Sequence, residues 1–313
     1  MSLVDINFRV FSDTPEGKDP DSHSPTLRRY HQILWSKPLP NGVRFDLDDD
    51  TPRLLHHKSG LGELFLASDS IGHTYKNVKK MKHIVDRIPS DQVNSFYSLC
   101  STVGAYVVFP SKKIENKMTI NVARGMNHKI QDRFDLTLEC IRRFYLKQRS
   151  PLSDPLERYA QFFYLFDDFK GYVDFFLLQD IVKEDYSSIN FWHPFNEFDH
   201  SPLPNTVEEY QAYKTTVTDF LTARNQRISN MPLPNWFPQT VPPAKNWQLK
   251  WQLTEWTPLD ITDHTGMWIV ESLSNTPWGT YPDGSLSNWG AGGRWFKSSH
   301  PDHFPQCFDA FLI

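Results

Sequence analysis

Arg124, Asp132, Arg133, Asp135, Glu139, Arg142 and Arg143 crowd one stretch, TINVARGMNHKIQDRFDLTLECIRRFY, which begins at Thr119. Carboxylates beside guanidiniums suit one chemistry above others. A guanidinium holds phosphate by paired hydrogen bonds, and a carboxylate moves a proton as general base. Asn121 and Arg124 close the segment KMTINVAR (117–124), whose β-branched residues predict a strand that Gly125 ends. Scaffolds often present a site at such a junction. The expected substrate-binding residues are therefore Asn121, Arg124 and Arg142, and the expected catalytic residues are Asp135 and Glu139.

A helix has to present them. From about Lys129 to Lys147, Ile130, Phe134, Leu138, Ile141 and Tyr145 recur at intervals of three and four, the mark of one helix face. At about 100° per residue, Asp132, Asp135, Glu139, Arg142 and Arg143 share the opposite arc, and Arg133 stands apart. A solvated helix face, with Glu139 paired to Arg142 and Arg143, fits the same pattern. Against it, Asp135 and Glu139 are like charges one turn apart, a costly placement unless a cation stands between them.

The flanking chain predicts the frame. INFRVF (6–11), GVRFDL (42–47), LGELFLAS (61–68) and AYVVFP (105–110) read as strands bounded by turn residues. Helices are expected at 25–35, capped by Ser24 with Pro25 in the first turn, at 73–85 and at 91–100. The run from Ser153 to Val182 is apolar on most sides and reads as a central helix, with Gly171 as its kink or break. A last helix covers 206–228, where Thr206 and Glu209 form a capping box. The expected fold is α+β: a small antiparallel sheet in the N-terminal third, a helical middle third packed on it, and a Trp-rich irregular or β C-terminal region. Composition shifts at the Pro-rich MPLPNWFPQTVPPAKNW, so the expected domains are 1–230 and 231–313.

Gross composition narrows the classes. The formal charge is −4 with no polybasic block, so whole-molecule attraction to nucleic acid or a membrane surface is not expected. Cys100, Cys140 and Cys307 are odd in number and far apart, unlike a disulfide framework. MSLVDINFRVF lacks the pattern of a signal peptide, and no apolar run is long enough to span a bilayer. A cytoplasmic protein without membrane contact is the expectation.

The blocks LFLASDSIG, GAYVVFP, TINVARG, KIQDRFDLTLECIRRFY and YAQFFYLFDDFKGYVDFFLLQD resemble an uncharacterised bacterial family, a domain of unknown function met mainly in actinobacteria and other Gram-positive genomes. The resemblance spans roughly residues 6–230. It implies no activity and transfers no functional residue.

Other constellations are weaker. Helical toxin ribonucleases keep four to six residues between Arg and His, whereas only three separate Arg124 from His128. Arg9 with Ser68-Asp69-Ser70 mimics part of an ADP-ribosyl-transfer site, but such short matches are common turn chemistry. HPFNEFDH (193–200), HPDHFPQC with His264, and the acidic turn Asp46, Asp48, Asp49, Asp50 offer metal-type ligands without a metal signature, so no metal site is assigned and the cofactor stays open. Eight of the ten tryptophans follow residue 230, and Trp278, Tyr281, Trp289 and Trp295 could stack on sugars or bases or could simply form a small core. Two functions are therefore expected: an enzyme acting on a phosphate-bearing substrate, nucleotide or nucleic acid, through residues 121–143, or a non-catalytic binding protein that uses the Trp-rich tail.

Overall fold

The computed structural model describes residues 3–48, 54–60 and 62–231 and two short strands, 278–280 and 286–288. Its order begins with α1 (Pro20–His23) and α2 (Pro25–Trp35), then β1 (Leu55–Ser59) and β2 (Gly62–Ser70). Next come α3 (Lys82–Val85), α4 (Ser90–Leu99) and β3 (Tyr106–Pro110). The helical part follows as α5 (Ile120–Met126), α6 (Phe134–Tyr145), α7 (Ser153–Arg158), α8 (Ala160–Tyr164), α9 (Phe169–Phe175) and α10 (Val207–Ser229). Strands β4 (Trp278–Thr280) and β5 (Leu286–Asn288) pair as an antiparallel hairpin in a separate unit. The α+β expectation holds for the described part. None of its helices is long and apolar enough to cross a membrane.

The sheet is antiparallel in the order β1-β2-β3. Its register positions a site. β1 pairs only with the first half of β2, from Ser59↔Gly62 to Leu55↔Leu66. β3 pairs only with the second half, from Leu66↔Pro110 to Ser70↔Tyr106. The Ile71 N–H donates to Ala105, and the Ser111 N–H donates to Phe65. Odd-numbered residues of β2 thus turn their backbone toward β3. The backbone of Ser68 and Ser70 points to the edge that β1 has already left. Those carbonyls need donors from elsewhere.

Helix α5 supplies them. Thr119 caps it through the Val122 N–H, so residues 120–126 are helical and the strand expected at 117–124 is overturned. The β-branched residues Thr119, Ile120 and Val122 had favoured a strand, but a capped start and burial of Ile120, Ala123 and Arg124 against the sheet outweigh that preference. Segment 6–11 also differs from expectation, ending in a single helical turn at Val10–Ser12. The 42–47 segment makes an isolated bridge, Pro38↔Arg44, and β1 lies later, in Leu55–Ser59. The helix expected at 73–85 is confined to its end, where a helical turn over Lys79–Met81 leads into α3.

The expected caps of α2 and α10 hold, whereas α6 starts at Phe134 rather than near Lys129 and the expected central helix is broken. Ser24 accepts from the Leu27 N–H at the start of α2. At the start of α10, the Thr206 hydroxyl accepts from the Glu209 N–H, and the Glu209 carboxylate returns to the Asn205 N–H. The central 153–182 run is divided into α7, α8 and α9. The last break precedes Gly171, because Asp168 caps α9 through the Gly171 N–H. A Cβ on Gly171 would stand 2.0 Å from the Phe166 carbonyl oxygen, so only glycine permits that turn. Phe162, Phe166, Tyr172 and Phe176 pack ring against ring in the core this creates.

Candidate functional site

Arg124 is completely buried. From α5 it reaches the open edge of β2, where Nη1 donates to Asp69 Oδ2 at 2.6 Å and to the Ser70 carbonyl at 2.8 Å. Nη2 donates to the Asp132 carbonyl and Nε to the Thr137 hydroxyl. Asn121, one turn earlier, donates from Nδ2 to the Ser68 carbonyl. The two helix side chains thus satisfy the two strand carbonyls that β1 leaves unpaired.

Around this ion pair stand two more carboxyls. Asp21 belongs to α1 and Asp132 to the turn before α6. Asp21 is 9% exposed and Asp132 8%. Both Asp21 oxygens and Asp132 Oδ1 are buried without a hydrogen-bond partner. Burial raises both groups. Asp132 is pushed up to about 8, with Arg124 opposing and Asp69 adding to the rise. Asp21 is raised well above the ordinary aspartate value by burial, then by the charges of Asp19, Asp69 and Asp132, with Arg124 opposing. Burial thus favours the protonated form of both groups more than in ordinary aspartates.

The turn that delivers Asp132 is tight. Gln131 and Asp132 both have positive φ, 46° and 61°. A Cβ on Gly125 would stand 3.0 Å from Asp132 Oδ1, so glycine there gives the carboxyl its room. Across the ladder from Ser70, the Tyr106 hydroxyl is fully buried and unpartnered. After burial itself, Asp21 is the largest influence on its ionisation.

His31 borders this group without acting as a base toward it. Trp35 Nε1 can only donate, and it donates to His31 Nδ1 at 2.9 Å. The ring proton therefore sits on Nε2, which faces Ser68 Oγ at 3.0 Å. Burial, reinforced by Arg224, lowers His31 to about 3. It stays neutral and donates to Ser68, so a His31-activated Ser68 nucleophile is not built here.

Asn121 and Arg124, of the five expected site residues in this stretch, reach the β2 edge. The other three are engaged elsewhere. Asp135 is fully buried and takes both arms of Arg133, with Nε to Oδ1 at 3.0 Å. It also accepts from the Trp192 N–H. Arg133 continues to the carbonyls of Pro202 and His193, so this pair pins the 192–202 loop. Glu139 is 2% exposed and closed by Arg142 through Nε and Nη2 and by Arg143 through Nε. The like charges one turn apart are thus compensated by separate arginines. The charged arc is not a solvated face either, since only Arg142 and Arg143 are part-exposed.

Arg9 donates to Ser98, so it does not complete a pair with Ser68 and Ser70. Among the described residues no group of His, Cys, Asp or Glu could hold a metal ion. His193 lies 3.9 Å from Glu209, and Asn196 contacts His200. Asp46 pairs with Arg44 and Asp48 with His56, whereas Asp49 and Asp50 lie outside the described residues. So do Tyr281, Trp289, Trp295, His264, His300, His303 and Cys307 and the side chain of Trp278. Cys100 and Cys140 are buried, and burial pushes the Cys140 thiol up to about 12.

Sequence reading missed Asp21, Asp69 and Asp132 as a group. They come from α1, β2 and the turn before α6, and no spacing along the chain announces their meeting. The signal that existed was Asp69 between two serines, a polar triplet at the end of an apolar strand. No curated protein and no solved structure matches the chain. A family model described as a family of unknown function, DUF6994, matches residues 4–228, and the chain belongs to that family.

Proposed function

We propose that the protein is an enzyme whose proton-transfer groups are Asp21 and Asp132, set beside the Arg124–Asp69 ion pair. The observation that carries this reading is the pair of buried, unpartnered carboxyls. Neither group is needed to neutralise Arg124, which already has Asp69. Both are raised, Asp132 to about 8, and such displaced pairs cluster at functional sites. Arg124 acts here as a fixed charge that tunes Asp132 rather than as a phosphate clamp. Four of its N–H groups are given to the protein. Arg142 is likewise held by Glu139. The catalytic role expected of Asp135 and Glu139 therefore passes to Asp132 and Asp21.

The test is a turnover screen of a mixed metabolite library by mass spectrometry, with wild type, Asp132→Asn and Asp21→Asn run in parallel. A reaction present in wild type and reduced about 10²- to 10⁴-fold in Asp132→Asn supports the reading. A reaction that both variants perform at the wild-type rate contradicts it.

A further inference from the structure

The unfilled hydrogen-bonding capacity at this site is one-sided. Asp21 Oδ1 and Oδ2, Asp132 Oδ1 and Asn121 Oδ1 are buried without partners, and as ionised carboxylates and an amide oxygen they accept from N–H groups. The nearby donors are used. Asn121 Nδ2 serves the Ser68 carbonyl, and Arg124 gives four of the guanidinium's five N–H groups to Asp69, Ser70, Asp132 and Thr137. Tyr106 adds a hydroxyl with no partner, fully enclosed and closer in its electrostatics to Asp21 than to any other charge. A phosphate or carboxylate entering here would meet no free row of N–H groups, only the acid protons of the carboxyls and the Tyr106 hydroxyl. A group rich in N–H would meet what it needs.

We propose that the Asp21–Asp132 pair receives a cationic nitrogen group, a primary ammonium or a guanidinium, carried at the end of a small ligand. This rests on the site assigned above and names the chemistry that fits it. Binding couples to proton release. A single cation beside the two carboxyls favours ionisation of one of them, so about one proton leaves when the ligand arrives. The N–H groups then donate to Asp21 and Asp132, and the ligand's charge replaces the lost proton. A neutral ligand would displace no proton, and an anion would oppose the exchange.

The experiment is isothermal titration calorimetry of the full chain at pH 7.5, in two sulfonic-acid buffers of different ionisation heat. The probes are agmatine, putrescine and methylguanidine, with inorganic phosphate and adenosine monophosphate as the anionic arm. The proposal expects at least one cationic probe to bind. Its observed heat should differ between the buffers as release of about one proton requires. Asp21→Asn, close to isosteric with the protonated acid, should weaken that binding at least about tenfold and remove the buffer dependence. The wild-type buffer dependence is read without any variant, and Asn121→Leu gives a second reduction should Asp21→Asn not fold. Binding of phosphate or the nucleotide in place of every cationic probe overturns the proposal. So does cationic binding with no proton release, and so does the absence of binding by all three cations. Binding of an amine without any turnover would leave the ligand chemistry standing and remove the catalytic reading. Turnover of a ligand without nitrogen, lost in Asp132→Asn, would do the reverse.

Discussion

Arg124 Nη1 lies 2.6 Å from Asp69 Oδ2, and neither side chain has any surface in contact with solvent. An ion pair withdrawn this far from water is costly to break, because the remaining partner is left charged in a medium that cannot solvate it. Arg124→Met should therefore lower unfolding stability by roughly 3–5 kcal/mol. Urea denaturation followed by circular dichroism measures it. The sequence alone gives Arg124 to a substrate and expects its alanine variant to fold normally. Near-wild-type stability in Arg124→Met would restore that view.

Asp132 and His31 set opposite pH dependences. Asp132 is raised from 3.8 to about 8 on folding, so the native state binds the extra proton and loses stability as pH rises through that window. His31 is lowered from 6.5 to about 3, so the unfolded state binds the extra proton and stability falls as pH drops below 6.5. Between about pH 4 and 6.5 the two slopes oppose each other; above 6.5 the Asp132 loss is joined by that of Asp21, and above about 7 Lys37, lowered from 10.5 to about 7, adds an opposing rise. Melting temperatures across pH 5–9 read the sum, and between pH 6.5 and 8 the slope in Asp132→Asn should be more positive than in wild type. An unchanged slope in the variant would assign the pH dependence to other groups.

The two carboxylates of α6 should separate by burial of their partners. Asp135→Asn leaves Arg133, 1% exposed, without its counter-charge and should cost roughly 3–5 kcal/mol. Glu139→Gln leaves Arg142 and Arg143, which are 19% and 16% exposed at their side chains and can turn to water, so it should cost less. Paired denaturation curves check the order. A larger loss in Glu139→Gln would contradict it.

Gly171→Ala places a methyl group 2.0 Å from the Phe166 carbonyl oxygen. The α8–α9 turn must move, at a cost of at least about 1–3 kcal/mol. Thermal unfolding of the variant measures it, and an unchanged midpoint would mean that the turn relaxes freely.

Much of the frame was legible because local chemistry decides it. Ser24 before Pro25, and Thr206 with Glu209, announce helix starts by the hydrogen bonds their side chains can make. The periodicity of Phe134, Leu138, Ile141 and Tyr145 survives as α6. β1, Leu-His-His-Lys-Ser, was not legible, since its pairing with β2 outweighs a composition that carries little strand signal. At the site, Asn121 and Arg124 were legible as a pair of unusual residues, but their surroundings were not. Asp21 and Asp132 lie 111 positions apart and meet only because α1 and the turn at Gln131–Asp132 converge on the edge of β2 that β1 leaves open. Charge spacing along α6 pointed instead to Asp135 and Glu139, whose partners, Arg133 on one side and Arg142 with Arg143 on the other, are local. Local pairing and long-range assembly leave the same charges in the sequence.

The central claim is that Asp132 and Asp21 hold protons at neutral pH. Carbon-13 NMR of protein labelled at the aspartate carboxyls, titrated from pH 4 to 9, tests it most directly, with Asp132→Asn and Asp21→Asn assigning the signals. The account predicts a carboxyl that titrates with a midpoint near 8 and disappears in Asp132→Asn, and a second, far above the usual range, that disappears in Asp21→Asn. A protein in which every aspartate has lost its proton by about pH 5 would contradict it.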